Sequence, residues 1–143
     1  MKAQEEAVYR EIQRNAEQAI TAIETVWDKI YDADLSMQIS RQSLKYAQLK
    51  NEAMQALIDG HAAPYRGSQI ADMKLKAGLH YNTLLNTSTG RIAELMIRER
   101  NEGRVQLEKV LRHNEEAGEK PQALAKEFME FQQKSIKALE DYL

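Results

Sequence analysis

From Tyr9 to Ile30 apolar residues return at alternating spacings of three and four, through Ile12, Ala16, Ala19, Ile23 and Val26. Only a helix of 3.6 residues per turn gathers such a series on one face, so the spacing predicts a helix over about residues 4–32 with one side buried. Val8, Ile20 and Trp27 widen the stripe, and Tyr31 lies beside it. Opposite charges four or three apart, Glu6 with Arg10 and Arg14 with Glu17, suit the other side and add roughly 0.2–0.5 kcal/mol each.

The same periodicity restarts after Asp32. Leu35, Ile39, Gln42, Tyr46, Leu49, Ala53 and Ala56 or Leu57 form a second line over about 34–59, and Asp34 or Ser36 can accept its first free N–H groups. A tight connection predicts that this helix runs antiparallel to the first. Asp59-Gly60 ends it, with glycine suited to a left-handed cap. Gln42 interrupts the apolar line and reads as a seam-edge glutamine bonded to a neighbour, while Glu52 reads as a solvated flank. His61 to Gly67, HAAPYRG, has loop chemistry because Pro64 forces Ala63 out of the helical region. Tyr65 and Arg66 there either pack on the loop or meet a partner.

A third helix is predicted over about 68–86, started by Ser68, with Ile70, Met73, Ala77, His80 and Leu84 as its apolar line. The cluster Asn86-Thr87-Ser88-Thr89-Gly90 follows. An unbroken helix from Ser68 to Ala117 would be about 75 Å long against about 43 Å for the first, so a break or kink at 86–90 is expected.

The fourth segment, about 88–117, is not a uniform core helix. Ile92, Met96, Val110 and Asn114 share a face, but Glu99, Gly103 and Gln106 or Leu107 fill the turns between them. Charged rows run beside that face, Glu94, Arg98 and Glu102 in one and Arg100, Arg104, Glu108, Arg112 and Glu116 in another. Such rows read as a solvated face or a helix junction. The alternative is that Glu99 points into a polar pocket. Gly118 to Pro121 turn the chain into a last helix over about 121–142, faced by Leu124, Phe128, Phe131, Ser135, Ala138 and Tyr142.

These periods, with two prolines and six glycines in 143 residues, define an all-α chain read as one domain over 1–143, an antiparallel four- or five-helix bundle. A domain of this size buries about 68–70% of its unfolded surface and needs no covalent staple. There is no cysteine, which removes disulfides, thiolate metal sites and a cysteine nucleophile. Acids and bases are interspersed at a net charge of −2, with no basic footprint for nucleic acid or an anionic membrane. No stretch approaches the roughly 18 apolar residues of a membrane span, nor does the N-terminus carry a signal-type apolar run. A cytoplasmic location is the expectation.

Helical bundles often house metals, so the ligand pattern matters. A di-iron carboxylate site draws a Glu from each of two helices and Glu-x-x-His from two others. The residues three before His61, His80 and His113 are Ile58, Ala77 and Val110, so that motif is missing. No His-Glu-x-x-His, phosphate-binding loop or Gly-x-Ser-x-Gly occurs either. No catalytic residue and no cofactor is therefore assigned.

Tyr9-Arg10-Glu11-Ile12, the run from Ser88 to Ile97 with Gly103 beyond it, and the ending from Phe131 to Leu143 resemble a group of small bacterial helical proteins that are similar to ferritin-like bundles and have no assigned activity. The resemblance implies a ferritin-like general architecture. Those proteins read Ser-His-Ile-Ala-Glu where this chain has Thr89-Gly90-Arg91-Ile92-Ala93-Glu94. Arg91 replaces the histidine, so no metal role carries over to it.

Two functions remain open. The preferred one is a non-catalytic helical interaction or assembly protein, because packing accounts for every strong pattern; a small adaptor that grips another protein's helix is a variant of it. The alternative is a ferritin-like metal-binding or redox bundle with a degenerate site drawn from Glu52, Glu94, Glu99, Glu102 and His80. A two-fold homodimer is expected, since the last helix places Phe128, Phe131 and Tyr142 beside Ile136, Leu139 and Leu143, a stripe wider than one neighbour covers. With Trp27 on the first helix, Phe128, Phe131, Ile136, Leu139 and Tyr142 are the interface candidates.

Overall fold

The computed structural model describes residues 1–143 and contains five α-helices and no strand. They are α1 (Ala3–Val26), α2 (Ala33–Asp59), α3 (Gln69–Asn82), α4 (Thr89–His113) and α5 (Glu119–Glu140), with one 3-10 turn at Trp27–Lys29. No helix is long and apolar enough to cross a membrane.

The apolar lines of α1 and α2 are buried as their spacing requires, from Tyr9 to Val26 and from Leu35 to Leu57. Their ends differ in detail. The first α-helix stops at Val26 and tightens into the 3-10 turn, and the cap of α2 is Asp32, whose Oδ1 accepts the Leu35 N–H at 2.8 Å, in place of Asp34 or Ser36. At the far end of α2 the left-handed residue is His61, at φ 58°, and not Gly60. His61 N–H bonds Ile58 O and Ala62 N–H bonds Leu57 O at 2.8 Å, the paired bonds of a Schellman ending. Gly60 serves a different need, because a Cβ there would run into the Met1 side chain. That contact sets the end of α2 against the start of α1.

The loop 61–68 is tied across α1. Gln13 Nε2 donates to Tyr65 O while Tyr65 N–H donates to Gln13 Oε1 at 2.8 Å, and Arg10 Nε donates to Ala63 O. Beyond the loop, α3 follows α1, and at their far ends Lys29 Nζ donates to Thr83 Oγ1 at 2.6 Å and meets His80 Nδ1. The chain then leaves the helix over residues 83–88, so the expected break is present and starts slightly earlier than the Asn86–Gly90 cluster. Ser88 Oγ accepts the Arg91 N–H to start α4, and Arg91 itself grips Asn82 through its backbone and side-chain oxygens. Arg91 is thus a clamp between α3 and α4.

Three side-chain contacts place the remaining helices. Gln4 near the start of α1 accepts the Glu116 N–H just past α4, Gln42 of α2 reaches Ser135 O of α5, and Lys45 pairs with Glu127. Gly90 at the start of α4 sits against Leu143 and Tyr142 at the end of α5. In α5 the buried series is Pro121, Ala125, Phe128, Gln132, Ser135 and Leu139, with Leu124, Phe131 and Tyr142 half-buried beside it. Phe128 and Leu139 have no exposed surface, and Phe131 packs edge-on against Tyr46 with ring centres 4.8 Å apart. The stripe read as surplus on α5 is therefore covered in part within the chain, with Phe128 and Leu139 buried, Phe131, Ile136 and Tyr142 half-buried and Leu143 68% exposed. Phe128 and Leu139 are core residues and leave the interface candidates, as Val8 leaves the surplus on α1.

The largest departure is α3. Its expected core line, Ile70, Met73, Ala77, His80 and Leu84, is exposed, and the helix instead packs through Leu75 and Leu79. Periodicity identifies an apolar face without saying which partner covers it.

Candidate functional site

Two features stand apart from ordinary packing, a polar layer inside the helices and the outward face of α3. The layer begins where α1 and α4 touch. Asn15 is almost fully buried, and its Nδ2 donates to Gly103 O at 2.6 Å. A Cβ on Gly103 would press into Asn15 Oδ1 and lie 2.9 Å from Gln132 Nε2, so the glycine permits the approach. Gln132 Nε2 donates to Asn15 Oδ1 at 3.1 Å, which ties α5 to the same point.

One turn away Arg100 is completely buried. Its guanidinium pairs with the adjacent Glu99 carboxylate, donates to Gln42 Oε1 at 3.3 Å and stands 5.0 Å over the Tyr46 ring. The solvated-face reading of this segment fails here: the Glu99 side chain is 11% exposed and Arg100, by spacing a member of a charged row, points inward. The physical reason is the small Gly103, which with Asn15 and Gln132 brings α4 close to α1 and α5, so that the long Arg100 side chain extends across the interior to Gln42 and Tyr46 of α2. The outer members of those rows stay solvated, and Arg98 pairs with Glu94 at 2.6 Å. On α1, Arg14 pairs with Glu11 in place of the expected Glu17.

The charges shift their neighbours. Burial holds the Glu99 carboxyl above the ordinary carboxylate value, and the Arg100 guanidinium only partly offsets it. Burial alone would lower Arg100, but Tyr46 and Glu99 beside it raise it, so it stays charged. Burial pushes the Tyr46 phenol up to about 12, against a downward pull from Arg100. Tyr46 Oη and Ser135 Oγ approach one another without forming a hydrogen bond of good geometry, and Arg100 Nε and Gln132 Oε1 also lack a protein partner. The layer thus contains one fixed cation, one carboxylate at its rim and a neutral phenol. Of these only the Glu99 carboxylate reaches an open groove, and it does so paired with Arg100.

Glu99 lines an open groove of about 440 Å³ with Arg14, Gln18, Leu75 and Glu102. Of the other residues of the alternative carboxylate site, only Glu102 joins it there. Glu52 is exposed on α2, Glu94 is engaged by Arg91 and Arg98, and His80 meets Lys29. No group of three or more His, Asp or Glu side chains is placed to hold a metal ion. Glu99 and Glu102, one turn apart on α4, are thus the one pair of that set which shares a groove.

The outward face of α3 carries Ile70, Met73, Tyr81 and Leu84 at 69%, 68%, 76% and 73% exposure, with Leu85 fully exposed just beyond. At 100° per residue Ile70, Met73, Ala77 and Tyr81 fall within about 80° of the helix circumference, and Leu75 and Leu79 lie opposite. Of the interface candidates that remain, Trp27 is 42% exposed, while Phe131, Ile136 and Tyr142 are half-buried. Tyr31, Leu44 and Leu143 are also exposed, at 80%, 74% and 68%, but the exposed line of Ile70, Met73 and Tyr81, continued by Leu84 and Leu85, has the most members in adjacent turns. Comparison with protein-family models, characterised proteins and solved structures gives no match for this chain.

Proposed function

We propose that this chain is a non-catalytic helical interaction or assembly protein that works as a homodimer, built as an antiparallel bundle of ferritin-like general architecture. The single observation that carries this reading is the outward apolar face of α3, turned directly away from the side that packs on α1. Five large apolar side chains open to solvent amount to roughly 700 Å² at about 150 Å² each, more than the roughly 300–600 Å² of the largest patch on a typical monomer. Such a face costs solubility unless a partner covers it.

The architectural part of the proposal is supported by which ends meet. Gly60 lies at Met1, Gln4 at Glu116 and Gly90 at Leu143, and Gln42 and Lys45 of α2 meet Ser135 and Glu127 of α5. Those contacts suit α1, α2, α4 and α5 as four alternating neighbours with α3 carried on the outside. A degenerate carboxylate site is the weaker reading, since only Glu99 and Glu102 of the set share a groove, while Glu52, Glu94 and His80 lie apart from it. The cysteine-free sequence continues to favour a reducing compartment such as the cytoplasm.

Light scattering across an elution peak, from about 1 to 100 μM, tests the proposal. Twice the 16.4 kDa chain mass is expected at the upper end. A single-chain mass throughout overturns the homodimer.

A further inference from the structure

We infer that the partner on α3 is the α3 of a second copy, docked antiparallel with Ala77 on the two-fold axis. The inference rests on the homodimer proposed above and specifies its surface. A two-fold contact must be self-complementary, with each residue meeting the residue equally far on the other side of the axis. About Ala77 this pairs Ile70 with Leu84, Met73 with Tyr81 and Lys74 with His80 of the other copy. Large residues thus meet at both ends of the seam and the smallest sits at its centre, where two helix axes at about 8–10 Å leave the least room.

Each pair also suits its chemistry. Ile70 and Leu84 bury aliphatic surface against each other, and the Met73 sulfur meets the Tyr81 ring, a contact worth having in its own right. Lys76 falls opposite Gly78, and Lys74, which faces His80 and the Lys29 in contact with it, lays its stem along the seam with its ammonium in water. Leu84 belongs to the same line although α3 ends at Asn82, because Thr83 N–H bonds Leu79 O and Leu84 N–H bonds Tyr81 O, which carries the chain round one further turn.

The area agrees with a dimer. The roughly 600 Å² open at Ile70, Met73, Tyr81 and Leu84 supplies most of the ~800 Å² that one partner contributes to an interface of standard size. The other exposed apolar line, Met37, Leu44 and Ile58 on α2, is interrupted by Arg41, Gln48, Asn51 and Gln55. Nor does the α3 stripe double as a bundle face in another packing of the chain, because Leu75 and Leu79 already occupy the side toward α1.

The absence of native cysteine makes the geometry directly readable. Single-cysteine variants Ala77→Cys, Trp27→Cys and Gln48→Cys are treated with a short bis-maleimide at a concentration where light scattering reports the dimer. Ala77→Cys should link at least tenfold faster than either other variant, and Met73→Glu should weaken dimerisation at least 100-fold with unchanged helical circular dichroism. A dimer that links through Trp27→Cys, or through none of the three, overturns the α3 seam while leaving the homodimer standing. A single-chain mass for the unmodified protein overturns both. Persistence of the dimer in Met73→Glu likewise overturns the seam.

Discussion

Asn15 and Gly103 join α1 to α4 through a 2.6 Å hydrogen bond from the Asn15 amide to the glycine carbonyl, at a point where no larger residue fits. Gly103→Ala would normally gain about 1 kcal/mol of helix propensity. Here the added methyl displaces the Asn15 and Gln132 side-chain ends and breaks their bonds. A net loss of about 1–3 kcal/mol in urea unfolding is expected. A stabilised Gly103→Ala variant would show that the contact is looser than described.

The Glu99–Arg100 pair predicts a pH dependence with a definite sign. Glu99 has a raised folded value, so it binds its proton more tightly in the folded than in the unfolded chain. Its contribution to stability is complete below the ordinary glutamate value of about 4.3 and is lost as pH rises through the folded value. Glu99→Gln should therefore match or exceed the parent in stability at pH 7 and flatten the profile above pH 4.3. Arg100→Met strands the carboxylate and should cost about 3 kcal/mol at pH 7, most of it restored by adding Glu99→Gln. Denaturant midpoints measured from pH 4 to 8 decide both.

Tyr46 packs against Phe128 and Phe131 and carries Arg100 over its ring, yet its hydroxyl has no good hydrogen-bond partner in the chain. The ring matters and the oxygen costs desolvation. Tyr46→Phe should be neutral or stabilising by up to about 1 kcal/mol, whereas Tyr46→Ala should cost about 3–5 kcal/mol. A loss above about 2 kcal/mol in Tyr46→Phe would mean that the hydroxyl is satisfied in solution.

The 83–88 segment connects α3 to α4 with few internal bonds, while Ile92 to Ile97 lie within a well-packed helix. Amide exchange should be fast at Leu85 to Thr87 and slow at Ile92 to Ile97. Equal protection in the two stretches would require a continuous helix.

Anaerobic iron(II) titration and elemental analysis of protein purified without chelator address the carboxylate alternative. Glu99 and Glu102 share a groove without a third carboxylate or histidine beside them, which leads to the expectation of no stoichiometric iron or manganese. Uptake of about two irons per chain, the number that a paired carboxylate site holds, would replace the interaction reading.

The alternation of three and four in Tyr9 to Val26 and Leu35 to Leu57 was enough to define two helices and their buried faces, because each burial there follows from local geometry alone. Local chemistry likewise marked the break after α3 and the role of Ser68 as a cap. The same rule failed on Ile70, Met73 and Ala77, since a helix with apolar residues on two sides can dock through either, and the docking of Leu75 and Leu79 on α1 made the choice. It failed again at Arg100. Spacing ranks a charged residue with its charged neighbours, whereas its burial depends on how closely α1 and α5 approach α4. That distance is set jointly by Asn15, Gly103 and Gln132, residues up to 117 positions apart that meet only in the folded chain.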